Sequence, residues 1–449
     1  MASRLASKAS RSSTRAGVSI SCSCMPGSAG GGCIATLLKM RQTAPMSSSD
    51  PEVVIIGAGA AGIAAARALR SQGRSCLVLE GGPRVGGRAH SCATLGSPLD
   101  HGATWLHAAD RNPLTRFATA AKNHDEVRER HVRVGERWAE PAELAAISAA
   151  EERFDAALEA ARAGPDRAVS EVAPRGGPWD ATVTHWLCTQ IQAREAEYLS
   201  AHDQFDNGLE GPNLLLPGGI GALVAELARD LPIRLNARVT GIDWSGPGVV
   251  VRGEFGTVRA QRAIVTVSTG VLAAGGIRFT PALPPAYQQA IHGLPMALLT
   301  KFAFRCASSL GGRMGIEPFH TVRRAPQPGH EPPMGFIMWP FGRDHLFGFV
   351  GGEAAWALSR QPPAETLRVA RAELEGMLGP MPLGQALVTD WGTDPLFLGS
   401  YSQALPGMAG ARAVLREPLG ALRFAGEATS LGLAGTIGGA WAEGEAAVA

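Results

Sequence analysis

Residues 53–62 read VVIIGAGAAG. Val53 to Ile56 is an unbroken run of β-branched residues, the pattern of a strand buried on both faces of a parallel sheet. Gly57, Gly59 and Gly62 follow it at the start of an alanine-rich stretch, with Ala60 and Ala61 in the expected first helical turn and the helix running to about Leu69. Cys76 to Leu79 reads as the next strand, giving one βαβ unit. Glycines at these three places permit a tight turn, the close approach of a pyrophosphate, and the packing of helix on sheet. The helix N-terminus adds free amides and the positive end of a dipole. Glycine-rich turns are common, so the spacing alone is weak. It gains force from Glu80 at the end of the second strand, where a carboxylate can accept both hydroxyls of a ribose and would repel a 2′-phosphate. FAD or NAD is therefore expected.

Working outward, Glu80 is followed by GGPRVGGR, with Gly86, Gly87 and Arg88 forming a second glycine turn. Residues 139–163 have helical spacing, and strands are expected near 233–244, 248–252, 264–272, 299–306 and 345–350. A helix is expected over 364–378, another from Thr436, and a Gly/Pro-rich surface loop over 322–335. The fold class is α/β: a Rossmann-type dinucleotide-binding domain with a second, α+β substrate-binding domain. The boundaries drawn are 51–108, 213–283 and 392–449 for the first, and 109–212 and 284–391 for the second.

The chain has 449 residues, 45% hydrophobic and 18% charged, with net charge +2. That excludes a mostly disordered or fibrous protein. The positive charge is concentrated before residue 50, where Arg4, Lys8, Arg11, Arg15, Lys39 and Arg41 face only Asp50. The rest is slightly acidic, which gives no support to a nucleic-acid partner. Residues 1–50 have two readings: an organelle transit peptide, rich in Ser, Ala and Arg, or a stretch upstream of a start at Met46. They correspond to an organellar and a cytoplasmic protein, the second being the expectation. Of seven cysteines, Cys22, Cys24 and Cys33 fall before residue 50, and the remaining four show no C-x-x-C and no His-paired zinc spacing, so neither a disulfide framework nor a metal site is expected. No apolar run is long enough to span a bilayer.

Lysine is scarce: Lys8, Lys39, Lys122 and Lys301 are all there are, and Lys301 lies in an apolar stretch. A buried lysine can titrate where arginine cannot. The alternative is a strand-end lysine reaching solvent. Of three tyrosines, Tyr401 stands in GSYS (399–402), where an electron-rich ring could guide an amine or simply fill core. His107, in DHGATWLH (100–107), is either a tuner of amine protonation or a wall residue.

The order of the motifs GxGxxG, GGR, DHGATWLH, LPGG (216–219), LPMALLTK (294–301), Trp391, GSYS, FAGEATS (424–430) and GTIGGAW (435–441) resembles the flavin-containing amine oxidases, in their polyamine-oxidase branch, over nearly all of 51–449. The resemblance implies non-covalent FAD, since Ser400 stands where monoamine oxidases carry the flavin-linking cysteine. It places Gly102, Ala103, Thr104, Trp105, Val239, Trp391, Gly426, Glu427, Thr436, Ile437 and Ala440 along the cofactor, with the first glycines, Glu80 and Gly86–Arg88. It assigns the chemistry to Lys301, Tyr401 and His107. It implies hydride transfer from an amine to flavin N5, an imine that hydrolyses to aldehyde and amine, and O₂ reduced to H₂O₂. A monomer or weak homodimer acting on a small amine, without membrane or nucleic acid, is the expected form. The rival reading is a flavin desaturase or oxidase acting on a carotenoid or porphyrinogen, and a further one is an inactive flavin-bound scaffold. Ser268 departs from the family's proline. Asp110, Asp203, Asp206 and Glu210 are candidates for a distal ammonium, or surface acids.

Overall fold

The computed structural model describes residues 50–326 and 332–449. The expectations for residues 1–49, including Cys22, Cys24 and Cys33, lie outside them. VVII becomes strand β1 (Val53–Ile56), buried at all four positions. It leads through Gly57, at φ +105°, into helix α1 (Ala60–Ser71), and strand β2 (Cys76–Leu79) returns parallel to β1. The strand order of this five-stranded parallel sheet is Ile233–Arg234, β2, β1, Arg262–Val265, Leu422–Phe424. Its members come from both ends and the middle of the chain.

A seven-stranded mixed sheet runs in the order Ala386–Val388, Leu299–Arg305, His345–Gly351, Gly335–Ile337, Thr321–Arg324, Arg130–Val134, Arg137–Trp138. Its two faces follow from the period of two along each strand. Phe302, Phe304, Phe336, Leu346 and Val350 point one way, into a core with Val369 and Leu374 of the helix Pro363–Leu378. Lys301, Phe349, Gly335 and Arg323 point the other way, into a cavity. Helix α2 (Pro141–Ala161) is the helix expected over 139–163. The surface loop expected over 322–335 is a correction: Val322 to Arg324 and Gly335 are strand residues, all buried but Arg323. The stretch is flanked by two short strands, one carrying Arg323 and Arg324 and the other opening on Gly335, which disguises both.

The last helix, α3 (Ile437–Ala446), packs on α1. A Cβ on Gly444 would lie 2.1 Å from the Ala61 carbonyl oxygen, so the two helices touch through backbone. No helix among the described residues is long and apolar enough to cross a membrane.

Candidate active site

A cavity of about 750 Å³ runs from the glycine turn of β1–α1 to the inner face of the seven-stranded sheet. Every cofactor residue expected from the sequence lines it except Gly62. Gly62 sits behind the turn, where an added Cβ would fall 2.0 Å from the Gly57 carbonyl oxygen. At Gly59 a Cβ would meet no protein atom within 4 Å. This glycine leaves open space at a helix N-terminus that has no side-chain cap. Gly86 and Gly87, at φ +96° and +56°, form the second turn alongside, bridged to Gly59.

The Glu80 carboxylate is oriented by two backbone donors, Ala58 N at 2.7 Å to Oε2 and Gly82 N at 2.7 Å to Oε1. Burial raises its pKa, and these two hydrogen bonds oppose the rise. Each oxygen retains a lone pair for a hydroxyl. Arg88 donates to Glu427 Oε1 at 2.9 Å and to the Ser400 carbonyl at 2.8 Å, joining the GGR turn to both C-terminal motifs. Glu427 also accepts from Ser402 Oγ at 2.7 Å. Although burial works against it, the Arg88 and Arg412 guanidiniums hold the Glu427 pKa low. At α3 the Thr436 side chain caps Gly439 N, leaving the Ile437 and Gly438 amides at the cavity end of the helix. Uncapped amides, a carboxylate with lone pairs left for hydroxyls and a glycine cradle fit a dinucleotide. No cysteine is among the lining residues. Ser400 Oγ instead bonds the backbone of Leu299. Ser268 caps the helix Thr269–Ala273 and donates to the Phe397 carbonyl at 2.6 Å, a turn that proline could not hold in this way.

Lys301 is buried, and its Nζ donates to the carbonyls of Asp100 at 3.0 Å and Gly102 at 2.8 Å, and to Thr104 Oγ1. All three ammonium protons are thereby used. Burial pushes its pKa down to about 8, with Asp100 opposing. The Tyr401 hydroxyl donates to the Ile191 carbonyl, and its ring flanks Gly435 just before α3. Burial raises its pKa, with Glu427 adding to the rise, so it remains a phenol. His107 lies nearly parallel to Trp105, ring centroids 6.0 Å apart. Its Nδ1 is 2.6 Å from Asn213 Oδ1, and Asn213 Nδ2 donates to Asp125 Oδ2 at 2.8 Å. That chain fixes the Asn213 amide and therefore the His107 tautomer: Nδ1 carries the proton and Nε2 the lone pair. Burial lowers the His107 pKa, so the ring is neutral at pH 7.

The acids are the principal correction. Asp203 is not available to a substrate, because Arg412 grips both of its oxygens, at 2.7 and 2.8 Å, with both side chains buried. Asp206 pairs with Arg162, while Asp110 and Glu210 are exposed and do not line the cavity. Besides Glu80, Glu427 and the paired Asp203, the acids lining the cavity are Asp125, Glu151 and Asp155, and Arg128, Arg130 and Arg323 line it with them. Of these, Glu151 and Asp155 share one face of α2 four residues apart, a spacing legible in the sequence once the helix is known to face a cavity. The fold also gathers Glu129, His131 and His320, a group with metal-binding donor types that sequence spacing does not reveal; none of the three lines the cavity. Asp203→Asn should destabilise the protein by about 3–5 kcal/mol, because it strands the buried Arg412 charge. A denaturant titration of the flavin-loaded protein checks this; an unchanged midpoint would show that the pair adds nothing.

Residues 178–449 match the model of the flavin containing amine oxidoreductase family, and residues 55–121 that of an NAD(P)-binding Rossmann-like domain. The chain is 30% identical to polyamine oxidase 4 of Oryza sativa subsp. japonica, over 89% of this chain and 88% of that one. It is 31% identical to polyamine oxidase 5 of the same plant, over 91% and 89%. The structure superposes on cyclohexylamine oxidase from Brevibacterium oxydans IH-35A with a TM-score of 0.74 at 22% identity, covering 89% of this chain and 98% of that one. With the glycine cradle, the Glu80 carboxylate beside it and no cysteine on the cavity wall, these matches identify the chain as a member of the flavin-containing amine oxidoreductases, an FAD-dependent amine oxidase.

Proposed function

We propose that the chain oxidises an elongated primary or secondary amine, the class that includes polyamines, at a carbon next to nitrogen. The observation that carries this reading is the pairing of a neutral His107, its Nε2 lone pair free, with the titratable Lys301 on one cavity wall. Bound FAD supplies the two-electron acceptor, taking the equivalent of a hydride and passing electrons to O₂, with imine hydrolysis giving aldehyde and amine.

The chain's own groups manage protons and position. An amine arrives in water as an ammonium, which has no lone pair to release electrons from. His107 Nε2 presents the lone pair that can receive that proton and pass it on to solvent, since Asn213 holds the other nitrogen protonated. Tyr401, tied to Ile191, presents its ring edge-fixed beside the last helix, where an amine can lie on it. Lys301, with a pKa of about 8, can hold or release a proton at Nζ near neutrality. Gly57, Gly59, Glu80, Arg88, Glu427 and the α3 N-terminus would hold the cofactor. The division into cofactor segments 51–108, 213–283 and 392–449 and substrate segments 109–212 and 284–391 is supported by the placement of the two large sheets.

Anaerobic mixing with mono-, di- and polyamines, followed by flavin absorbance, tests the reading. Bleaching by amines is expected, and bleaching only by a non-amine such as a porphyrinogen would overturn it. His107→Gln should lower kcat/KM at pH 7 by about 10- to 100-fold. The loss should shrink as pH rises towards the pKa of the free amine, which then deprotonates unaided. A pH profile with the same shape as wild type would remove His107 from this role.

A further inference from the structure

The register of the seven-stranded sheet sets four residues in one row on its cavity face. Lys301 lies opposite Phe349, Phe349 opposite Gly335, and Gly335 opposite Arg323. All four line the cavity. Three strand spacings of roughly 4.8 Å put about 14 Å between the two ends of the row. The row beside it continues the surface as Phe347, Ile337, Thr321 and Arg130. The floor is thus apolar in the middle, with a lysine at one end and arginines at the other.

The Arg323 side chain is 17% exposed, and its guanidinium lies on the Trp186 ring at 3.4 Å. Nε is sealed without a partner. No acceptor among the described residues is within hydrogen-bond distance of its other nitrogens, and the nearest carboxylate oxygen, Glu151 Oε1, is 3.8 Å from a terminal one. Glu151 itself is held by Arg130 at 2.7 and 2.8 Å, and Arg128 pairs with Asp125 at 3.3 Å. Burial and the neighbouring Arg130 push the Arg323 guanidinium down to about 9. A buried cation whose partners are a ring face and one carboxylate oxygen at 3.8 Å, itself held by Arg130, is only partly compensated and gains from an anion that reaches it. Asp155, exposed at the side of α2, is weakened as an anion by desolvation first and then by Glu151 and Glu210.

Resting on the amine-oxidase reading, we infer that Arg323, with Arg128 and Arg130 in electrostatic reach, is an anion-binding subsite, and that the amine oxidised here carries a carboxylate at its far end. The chain between the two groups lies over Phe349 and Ile337, so it is apolar, and it must bridge most of the row. A polycation, by contrast, would bring its distal ammonium to carboxylates of which Asp125 and Glu151 are already paired with Arg128 and Arg130.

The test is anaerobic flavin reduction by ω-amino carboxylates of increasing length, beside the alkylamines and α,ω-diamines of equal length. At the matching length the amino carboxylate should half-saturate at a concentration about 10- to 100-fold below the alkylamine, the usual worth of a charged hydrogen-bonded contact. Arg323→Gln should collapse that ratio towards one, and Arg323→Lys should keep part of it. Separately, alkanoates without an amine should perturb the absorption of the oxidised, flavin-loaded wild type, and less so in Arg323→Gln. Diamines preferred over amino carboxylates, or alkanoates that leave the wild-type spectrum unmoved, would overturn the subsite. If no amine reduces the flavin, the amine reading fails, and the alkanoate titration still decides the subsite alone. The wild-type measurements also decide it should Arg323→Gln not fold.

Discussion

Lys301→Met should slow flavin reduction by amine, or flavin reoxidation by O₂, by about 10²- to 10⁴-fold, the range seen when a positioned proton-transfer group is removed. Stopped-flow measurement of the two half-reactions separates them, and unchanged rates in both would strip Lys301 of its role. The expectation rests on geometry as well as acidity. Three acceptors fix Nζ at the cavity wall, and methionine fills a similar volume without a proton to give or hold. The same substitution has a stability signature. Lys301 carries a folded-state pKa of about 8, below its ordinary 10.5. The unfolded chain therefore binds more protons between those values, and stability gained from this group rises as pH climbs from 8 to 10.5. Below pH 8 the full penalty, on the order of 3 kcal/mol, is present. Lys301→Met removes that rise. The wild-type and variant unfolding free energies, compared at pH 7 and pH 10, should therefore differ by unequal amounts; parallel pH curves would contradict the depressed pKa.

The second large effect is at Gly62. A Cβ there would lie 2.0 Å from the Gly57 carbonyl oxygen and 3.1 Å from its carbon, both backbone atoms that cannot swing aside. Gly62→Ala must lift α1 off the turn, and FAD affinity should fall by at least about 100-fold, with the fold itself weakened. Gly59→Ala is the informative companion. Its Cβ meets no protein atom, so the polypeptide should unfold at nearly the wild-type midpoint while flavin binding weakens through crowding of the cofactor alone. The flavin-to-protein absorbance ratio and the melting of the flavin-free proteins distinguish the two. Equal losses of stability in both variants would show that the turn does not divide its glycines in this way.

The parts of the site that could be read from the sequence are those in which neighbours in the chain are neighbours in space. The turn Gly57–Gly62, Glu80 at the end of β2, and the GGR turn all belong to a single local unit. Lys301 was legible because of its rarity, not its surroundings. What the sequence conceals is pairing. Arg323 joins Lys301 only through the registers of four strands, two of them three or four residues long and lying where glycine and proline suggest a loop. Asp203 looks like a candidate for an ammonium because nothing local shows that Arg412, distant in sequence, holds it. Glu151 and Asp155 were overlooked because a helical pattern tells which residues share a face, but not what that face meets.

The backbone contact between α1 and α3 has a bearing on biosynthesis. The glycine turn lies at the first helix of the described chain, and α3, whose amides face the same cavity, is made some 370 residues later. A nascent chain therefore exposes the glycine turn long before it can close over a prosthetic group. Loading therefore waits until α3 has been made, and chains cut short before Ile437 should accumulate empty, as substrates for chaperones and proteases.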